Sequence, residues 1–282
     1  MKPAPFEFRR PASIAEAIAL VAGHSGFAKF LAGGQTMGPM INLRLIQPDL
    51  LVDVSRVNEL RAVAEKNGSL LVGAATRHAE FEDEEVPDVA NGLLRRAASG
   101  IAYRAIRNRG TIGGSLAHAD PAAEWPTVMM ALGAVVNIHG PAGRRSLPVD
   151  QFLLGPMTTA LADNEVIETV EIPKLSRKAR WGMVKRCRKV GEFAYALAVV
   201  VLDREHGACN TVMGATAGVP LCLPTTSNLL AEQSVWRDGI EAEIRLRCEV
   251  DIDAAGLVLD EYDRHVHGIT VIRAAKEALK YE

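Results

Sequence analysis

The sequence predicts an α+β fold, because strand-like and helix-like runs come in blocks and not in regular alternation. Three observations carry this expectation. In the last third, strand-like runs at 181–187, 194–203 and 211–217 all precede helical runs near 225–233, 239–248 and 269–280. In the middle, helical patterns flank Gly100 before strand-like runs at 135–139 and 166–172. A chain of 282 residues is also too long for one minimal core and suits two or three lobes.

Taken in order, Ser13, Ile14, Ala15 and Glu16 form a capping box that opens a helix over 14–22, with Ser13 and Glu16 satisfying free N–H groups. A short strand at 30–32 ends at Gly33 and Gly34, a helical turn covers 37–43, and a second strand covers 49–54. The first lobe therefore closes at residue 57. The next opens with a strand at 69–73 and a helix after Thr76, and a further helix covers 125–132. Pro121 and Pro126 compete for the first turn of that helix, so its start stays open. Pro173 and the basic stretch after it mark a boundary, giving lobes at 1–57, 58–174 and 175–282. In the closing helix Ile269, Ile272 and Leu279 share one side.

Composition excludes several classes of function. With 34 acidic and 32 basic residues the net charge is -2, which offers no general attraction for nucleic acid or anionic membranes. The longest apolar run, 193–202, is too short to cross a bilayer, and the N-terminal residues lack the apolar core of a signal peptide. The cysteines, Cys187, Cys209, Cys222 and Cys248, stand 22, 13 and 26 positions apart, without the spacing of a zinc site or an iron–sulfur cluster. Scattered thiols in a long chain point to a reducing compartment, and a cytoplasmic protein is expected.

Two glycine-rich turns hold the main functional signal: Lys29-Phe-Leu-Ala-Gly-Gly-Gln-Thr36 and Arg109-Gly-Thr-Ile-Gly-Gly-Ser115. Each runs into a helix, so each offers backbone N–H groups to an anion. Two such cradles suit a long, doubly charged cofactor. Neither has the G-x-G-x-x-G spacing of a Rossmann fingerprint. The plainer alternative is that the glycines serve only backbone conformation. His118 and Asp120 read as a loop brace and a helix cap in preference to a catalytic dyad. His265 and His267 would share one strand face, but no third metal ligand is evident.

Together, Ala32-Gly-Gly-Gln-Thr36, Pro39-Met-Ile-Asn-Leu-Arg44, Arg107-Asn-Arg-Gly-Thr-Ile-Gly-Gly-Ser115 and Leu116-Ala-His-Ala-Asp-Pro-Ala-Ala-Glu124 resemble the FAD-binding medium subunit of molybdenum hydroxylases. That family includes carbon monoxide dehydrogenase, xanthine dehydrogenase and bacterial dehydrogenases of aromatic heterocycles. The resemblance implies a vanillyl-alcohol-oxidase-like (PCMH-type) FAD-binding fold of two N-terminal subdomains, plus a C-terminal α+β flavoprotein domain.

It also implies which residues hold FAD. Leu31, Ala32, Gly33, Gly34, Gln35 and Thr36 would form one phosphate turn, and Thr111, Ile112, Gly113, Gly114 and Ser115 the other, with their backbone amides meeting the diphosphate. Glu124 would bond the adenosine ribose hydroxyls, with Asp120 beside it; the alternative for Glu124 is a helix-start carboxylate. Lys185 matches a position near the flavin or its phosphate, against the alternative of a solvated strand face. Phe193 falls where relatives carry an aromatic residue against the isoalloxazine, against the alternative of the first core residue of a strand. Thr36 replaces a more usual Ser and keeps a hydroxyl, whereas Ser115 replaces Asp or Asn, so a backbone role is expected for it. No residue is assigned a general acid, general base or metal-ligand role.

In function, the resemblance implies the electron outlet of a larger enzyme. A large molybdopterin subunit would hydroxylate a small substrate, with a lean towards an aromatic heterocycle. A small subunit would pass electrons through 2Fe–2S clusters, and the flavin here would deliver them to NAD, a quinone or dioxygen. The assembly would be a heterotrimer pairing into a dimer of heterotrimers. Two rivals are a self-sufficient FAD-dependent oxidoreductase and a flavin-free scaffold subunit.

Overall fold

The computed structural model describes residues 2–279. Its first part runs β1 (Glu7–Arg9), α1 (Ile14–Ala22), β2 (Ala28–Leu31), α2 (Met37–Asn42) and β3 (Leu50–Asp53). The strands pair in the order β1-β3-β2, all parallel. Helix and strand do alternate here, and the parallel pairing follows because each connection, through α1 or α2, returns the chain to the end where the last strand began. At the start of α1, Ser13 Oγ accepts from Glu16 N–H, but the Glu16 carboxylate accepts from Ala12 N–H (2.7 Å), so the box closes one residue early.

The second part begins with a 3₁₀ turn (Asn58–Arg61), β4 (Val63–Lys66) and β5 (Ser69–Gly73). Five helices follow: α3 (His78–Glu82), α4 (Leu93–Ser99), α5 (Arg104–Arg107), α6 (Ile112–His118) and α7 (Glu124–Ala131). The chain then makes β6 (Val135–Gly140), β7 (Gly143–Pro148), α8 (Val149–Phe152), β8 (Leu153–Gly155), β9 (Thr158–Thr159) and β10 (Val166–Pro173). The main sheet is antiparallel, in the order β4-β5-β10-β6-β7, so its last strand is central. Leu70, Val72, Val136, Ile138, Val170 and Ile172 line one face, turned to the core.

The last part runs β11 (Arg180–Arg186), β12 (Ala196–Asp203), β13 (Ala208–Gly214), β14 (Leu221–Cys222), α9 (Pro224–Ala231), α10 (Ile240–Ala254) and α11 (Glu261–Leu279). Its four strands form an antiparallel meander in chain order. Every residue of β12 is buried, because the strand serves two cores. Leu197, Val199 and Val201 face the core that contains α7, while Ala198, Val200 and Leu202 face the one built with α9, α10 and α11. A strand covered on both sides reads as an unbroken apolar run, as this one does.

Several expectations change. His265 and His267 lie in α11, not on a strand, and two positions apart on a helix they point in widely different directions. His265 is exposed and His267 is buried. The closing helix starts eight residues earlier than 269, and the expected end at Lys280 lies outside the described residues. Pro126 is the third residue of α7, within the first turn, so the helix begins at Glu124 after an extended Ala123. No helix of the described residues is long and apolar enough to cross a membrane.

All eight residues of α7 are buried, and the helix touches α4, α6, α8, β12 and β13. Its fixed orientation depends on Trp125, whose ring packs on Phe81 with centroids 4.8 Å apart and whose Nε1–H donates to His78 Nδ1 (3.0 Å). Burial first, and the nearby Arg107 second, pull the His78 imidazole down from the ordinary 6.5 to about 4, so it is neutral and can accept that bond.

In the unfolded chain His78 takes up a proton near 6.5, but in the folded protein only near 4. Stability is therefore unaffected above 6.5 and falls as pH drops through that window. Urea unfolding at pH 7.5 and 4.5 should show wild type losing about 2–3 kcal/mol more than His78→Gln, whose amide oxygen still accepts from Trp125. Equal losses in the two proteins would show that His78 is not held neutral.

Candidate functional site

The first glycine turn leaves β2 at Leu31 and enters α2 at Met37. Gly34 has φ +72°, a left-handed backbone that glycine adopts without strain. Gln35 folds back so that its Nε2 donates to the Gly33 carbonyl (3.0 Å). Thr36 stands at the head of α2, and its hydroxyl makes no capping bond. Among the described residues, no protein acceptor takes the backbone N–H of Ala32, Gly33, Gly34, Gln35 or Thr36. Five successive unpaired amides around a left-handed glycine form a donor set suited to an anion.

The second turn is built differently. Residues 76–78 and 110–112 make a short antiparallel bridge, with His78 N–H donating to Gly110 O (2.9 Å) and Ile112 N–H to Thr76 O (3.0 Å). Gly113 N–H donates to Ala74 O (2.9 Å), Gly114 N–H to Thr111 Oγ1 (3.1 Å), and Ser115 N–H to Thr111 O (3.0 Å). Of the amides at 111–115 expected to meet a phosphate, only Thr111 N–H lacks a protein acceptor among the described residues. The expected second cradle is thus largely filled from within, because the bridge and the first turn of α6 use its donors. Ser115 in particular has no free backbone donor.

The glycines answer to a third requirement beyond ligand access and backbone conformation. A Cβ on Gly33 would collide with the Arg109 carbonyl and lie 2.8 Å from Gly110 Cα, so this is where the two turns touch. A Cβ on Gly113 would overlap Ala74, and one on Gly110 would lie 2.7 Å from His78 Nε2. A Cβ on Gly34 would meet only Leu31 Cδ1, at 3.5 Å. Gly33, Gly110 and Gly113 serve close packing of the protein against itself, and Gly34 serves conformation.

Beyond α6, Ala119 takes a left-handed turn, and the Asp120 carboxylate accepts from Ala122 N–H (2.9 Å). Asp120 braces the loop but does not cap α7, which begins with Glu124 after Ala123. The Glu124 residue is only 5% exposed and its carboxylate pairs with Lys185 Nζ (2.6 Å). Burial raises the Glu124 carboxyl above the ordinary carboxylate range; Lys185 pulls in the opposite direction, and the neighbouring Asp120 charge adds a small upward push. Lys185 therefore lies on an inward face of β11 and not on a solvated one. Its ammonium also donates to Gly100 O (3.2 Å). Nothing in the sequence pairs Glu124 with Lys185 across 61 positions; only the packing of β11 near α4 and α7 does.

Phe193 is 68% exposed and precedes β12, which starts at Ala196, so it is not the first core residue of that strand. It stands on a loop closed at its neck by Tyr195 N–H donating to Arg186 O (2.7 Å). An exposed aromatic ring held on a closed loop is available for stacking.

The chain matches the family described as the FAD-binding domain in molybdopterin dehydrogenase over residues 4–175. It is 37% identical over 219 residues to the carbon monoxide dehydrogenase medium chain of Hydrogenophaga pseudoflava, covering 78% of this chain and 76% of that one. It is 33% identical over 259 residues to the caffeine dehydrogenase subunit beta of Pseudomonas sp. strain CBB1, covering 90% and 88%. The structure superimposes on carbon monoxide dehydrogenase from Hydrogenophaga pseudoflava with a TM-score of 0.88 at 32% identity, covering 99% of this chain and 98% of that one. The fold is the vanillyl-alcohol-oxidase-like, PCMH-type FAD-binding fold with its C-terminal α+β part, and the cofactor is FAD. The chain belongs to the FAD-binding medium subunits of the molybdenum hydroxylase-type dehydrogenases, a family of oxidoreductases.

Proposed function

We propose that this subunit is the electron outlet of a three-subunit enzyme, taking electrons from 2Fe–2S clusters on a small partner and releasing them to NAD, a quinone or dioxygen. A large molybdopterin subunit would hydroxylate the substrate, and the complex would pair into a dimer of heterotrimers. The caffeine-dehydrogenase relative and the 116–124 segment favour a small aromatic heterocycle as that substrate. The four thiols are dispersed over the loop after β11, β13, β14 and α10, which supports placing the clusters on a partner. A cytoplasmic location accords with free thiols.

The observation that carries the cofactor part of this reading is the run of unpaired amides at 32–36 pressed against the second turn. These amides would hold the diphosphate, with Leu31 at the base of the turn. Thr111 N–H and the surface of Ile112, Gly113, Gly114 and Ser115 would form the opposing wall, and Asp120 would hold the loop that leads to Glu124. Glu124 would accept from ribose hydroxyls while Lys185 holds its charge. Phe193 would stack near the isoalloxazine. FAD, when bound, supplies the one- and two-electron redox chemistry that such an outlet needs. The lobes 1–57, 58–174 and 175–282 would each be organised around one principal sheet.

Acid extraction and chromatography of the purified subunit should give close to one FAD per chain. Gly34→Ala puts its methyl in ordinary contact with Leu31 Cδ1 (3.5 Å) and strains the φ +72° backbone at a cost of about 1 kcal/mol, so it should lower FAD retention with only a small drop in apoprotein melting. Gly33→Ala forces the two turns apart and should cost about 1–3 kcal/mol with or without FAD. A folded chain that takes up no FAD even with its partner subunits would overturn this reading in favour of a scaffold. Equal FAD retention in Gly34→Ala and wild type would remove the first turn from the site.

The buried pair gives a second test. Lys185→Met leaves the Glu124 carboxyl without its cation, at a cost of about 3–5 kcal/mol near neutral pH. Burial then raises that carboxyl further, so the variant should lose stability as pH rises above about 4.3, the unfolded carboxylate value. Adding Glu124→Gln should restore most of the loss in urea titrations. An unchanged midpoint in Lys185→Met would show that the pair is not formed.

A further inference from the structure

The loop bearing Phe193 rests on the chain just after α4. Gly191 has φ +87°, and a Cβ there would lie 2.7 Å from the Ala102 carbonyl oxygen, so the loop backbone is in close contact with Ala102. Ala102 itself has φ +39°, an unfavourable conformation for a residue with a side chain, which must be held from outside.

Cationic side chains hold it. Arg107 Nη1 donates to the carbonyls of both Ile101 (2.9 Å) and Ala102 (3.1 Å). The preceding carbonyl, Gly100 O, accepts from Lys185 Nζ. Three successive carbonyls are thereby fixed as a ledge. Arg107 is oriented in turn by Glu82, which accepts from Nε and Nη2 at 2.7 Å each. One planar guanidinium serves a carboxylate on one edge and the ledge on another, which an ammonium cannot reproduce.

We infer that Arg107 is a positioning residue for the flavin environment: by fixing the Ile101 and Ala102 carbonyls it sets the height of the Gly191 loop and so the position of the Phe193 ring. Among the described residues, Arg107 makes no hydrogen bond to Phe193 or to the proposed phosphate turns. This inference rests on the proposed placement of Phe193 beside the isoalloxazine, and its test separates the two.

The FAD-loaded full chain would be prepared as wild type, Phe193→Ala, Arg107→Lys and the double variant, with FAD per chain measured in each. The readouts are the visible flavin absorption, flavin fluorescence and the midpoint potential. Phe193→Ala should shift the spectrum and raise fluorescence, and Arg107→Lys should do the same in smaller measure at unchanged FAD stoichiometry. In the Phe193→Ala background, Arg107→Lys should add nothing, because no ring is left to displace. An Arg107→Lys shift that persists undiminished in that background, or no shift in wild type, overturns the positioning role while leaving Phe193 at the flavin. No effect of Phe193→Ala itself overturns the placement and the inference together. If Arg107→Lys does not fold, Glu82→Gln decides the matter, because it loosens the carboxylate that aims the guanidinium at the ledge: a smaller flavin shift that vanishes in the Phe193→Ala background supports the positioning role, and no shift, or one that persists there, overturns it.

Discussion

The contact on which the site depends is the approach of the Gly33 backbone to the peptide joining Arg109 and Gly110. It brings a turn from the small parallel sheet against a turn that belongs to the larger antiparallel one. On the proposed reading, neither turn would hold the cofactor alone. The first turn supplies donors without partners, and the second supplies a rigid surface whose own donors are almost all paired. Any side chain at residue 33 would open the gap between them. The glycine is therefore a requirement of assembly before it is one of binding.

The same separation of roles recurs at α7. This helix lies wholly inside the protein, between helices α4, α6 and α8 of the middle part and strands β12 and β13 of the last part. Its first residue, Glu124, is a carboxylate in an apolar setting, tolerable because Lys185 reaches it from β11. Its second residue, Trp125, is anchored by a histidine that burial keeps neutral. At its far end the Ala131 carbonyl accepts from Asn210 Nδ2 on β13 (2.9 Å). The carboxylate's position is thus determined jointly by the middle and last parts, which explains why β12 needs apolar residues on both faces.

Apolar periodicity made much of this legible. The strand at Ser69–Gly73 was readable from sequence to the residue, and β10, β11 and β12 nearly so, because burial on a sheet leaves a strong apolar signal. Strands held by charge left none. In β4 all four residues are exposed, and β7 is fastened by Arg144 to Glu168 and by Arg145 to Glu165 across 24 and 20 positions, pairs that no local pattern announces. At the site, the glycine turns were recognisable as turns, yet the use of each amide was not. Whether an N–H is free depends on where Thr76 and Ala74 lie in space, and that is a tertiary fact. The histidines at 265 and 267 were misread because their alternating spacing also fits a helix that turns one ring inward and the other to solvent.

The unequal state of the two turns has a physical logic. Buried amides without partners are costly, whereas the residues of the first turn, Gly33 apart, are half-buried or exposed, so water can serve their N–H groups until an anion replaces it. Ile112 and Gly113 are buried with both N–H groups paired, and there an unpaired donor would have no such substitute. The protein keeps most of its free donors where solvent reaches and pairs most of those it has buried, the Gly33 and Thr111 N–H groups excepted. In the proposed site, a phosphate approaching from the solvent side would exchange water for charge-assisted bonds on one turn while the other would not have to rearrange. An anion site built this way would be preorganised without being strained, as the proposed role of holding a redox cofactor requires.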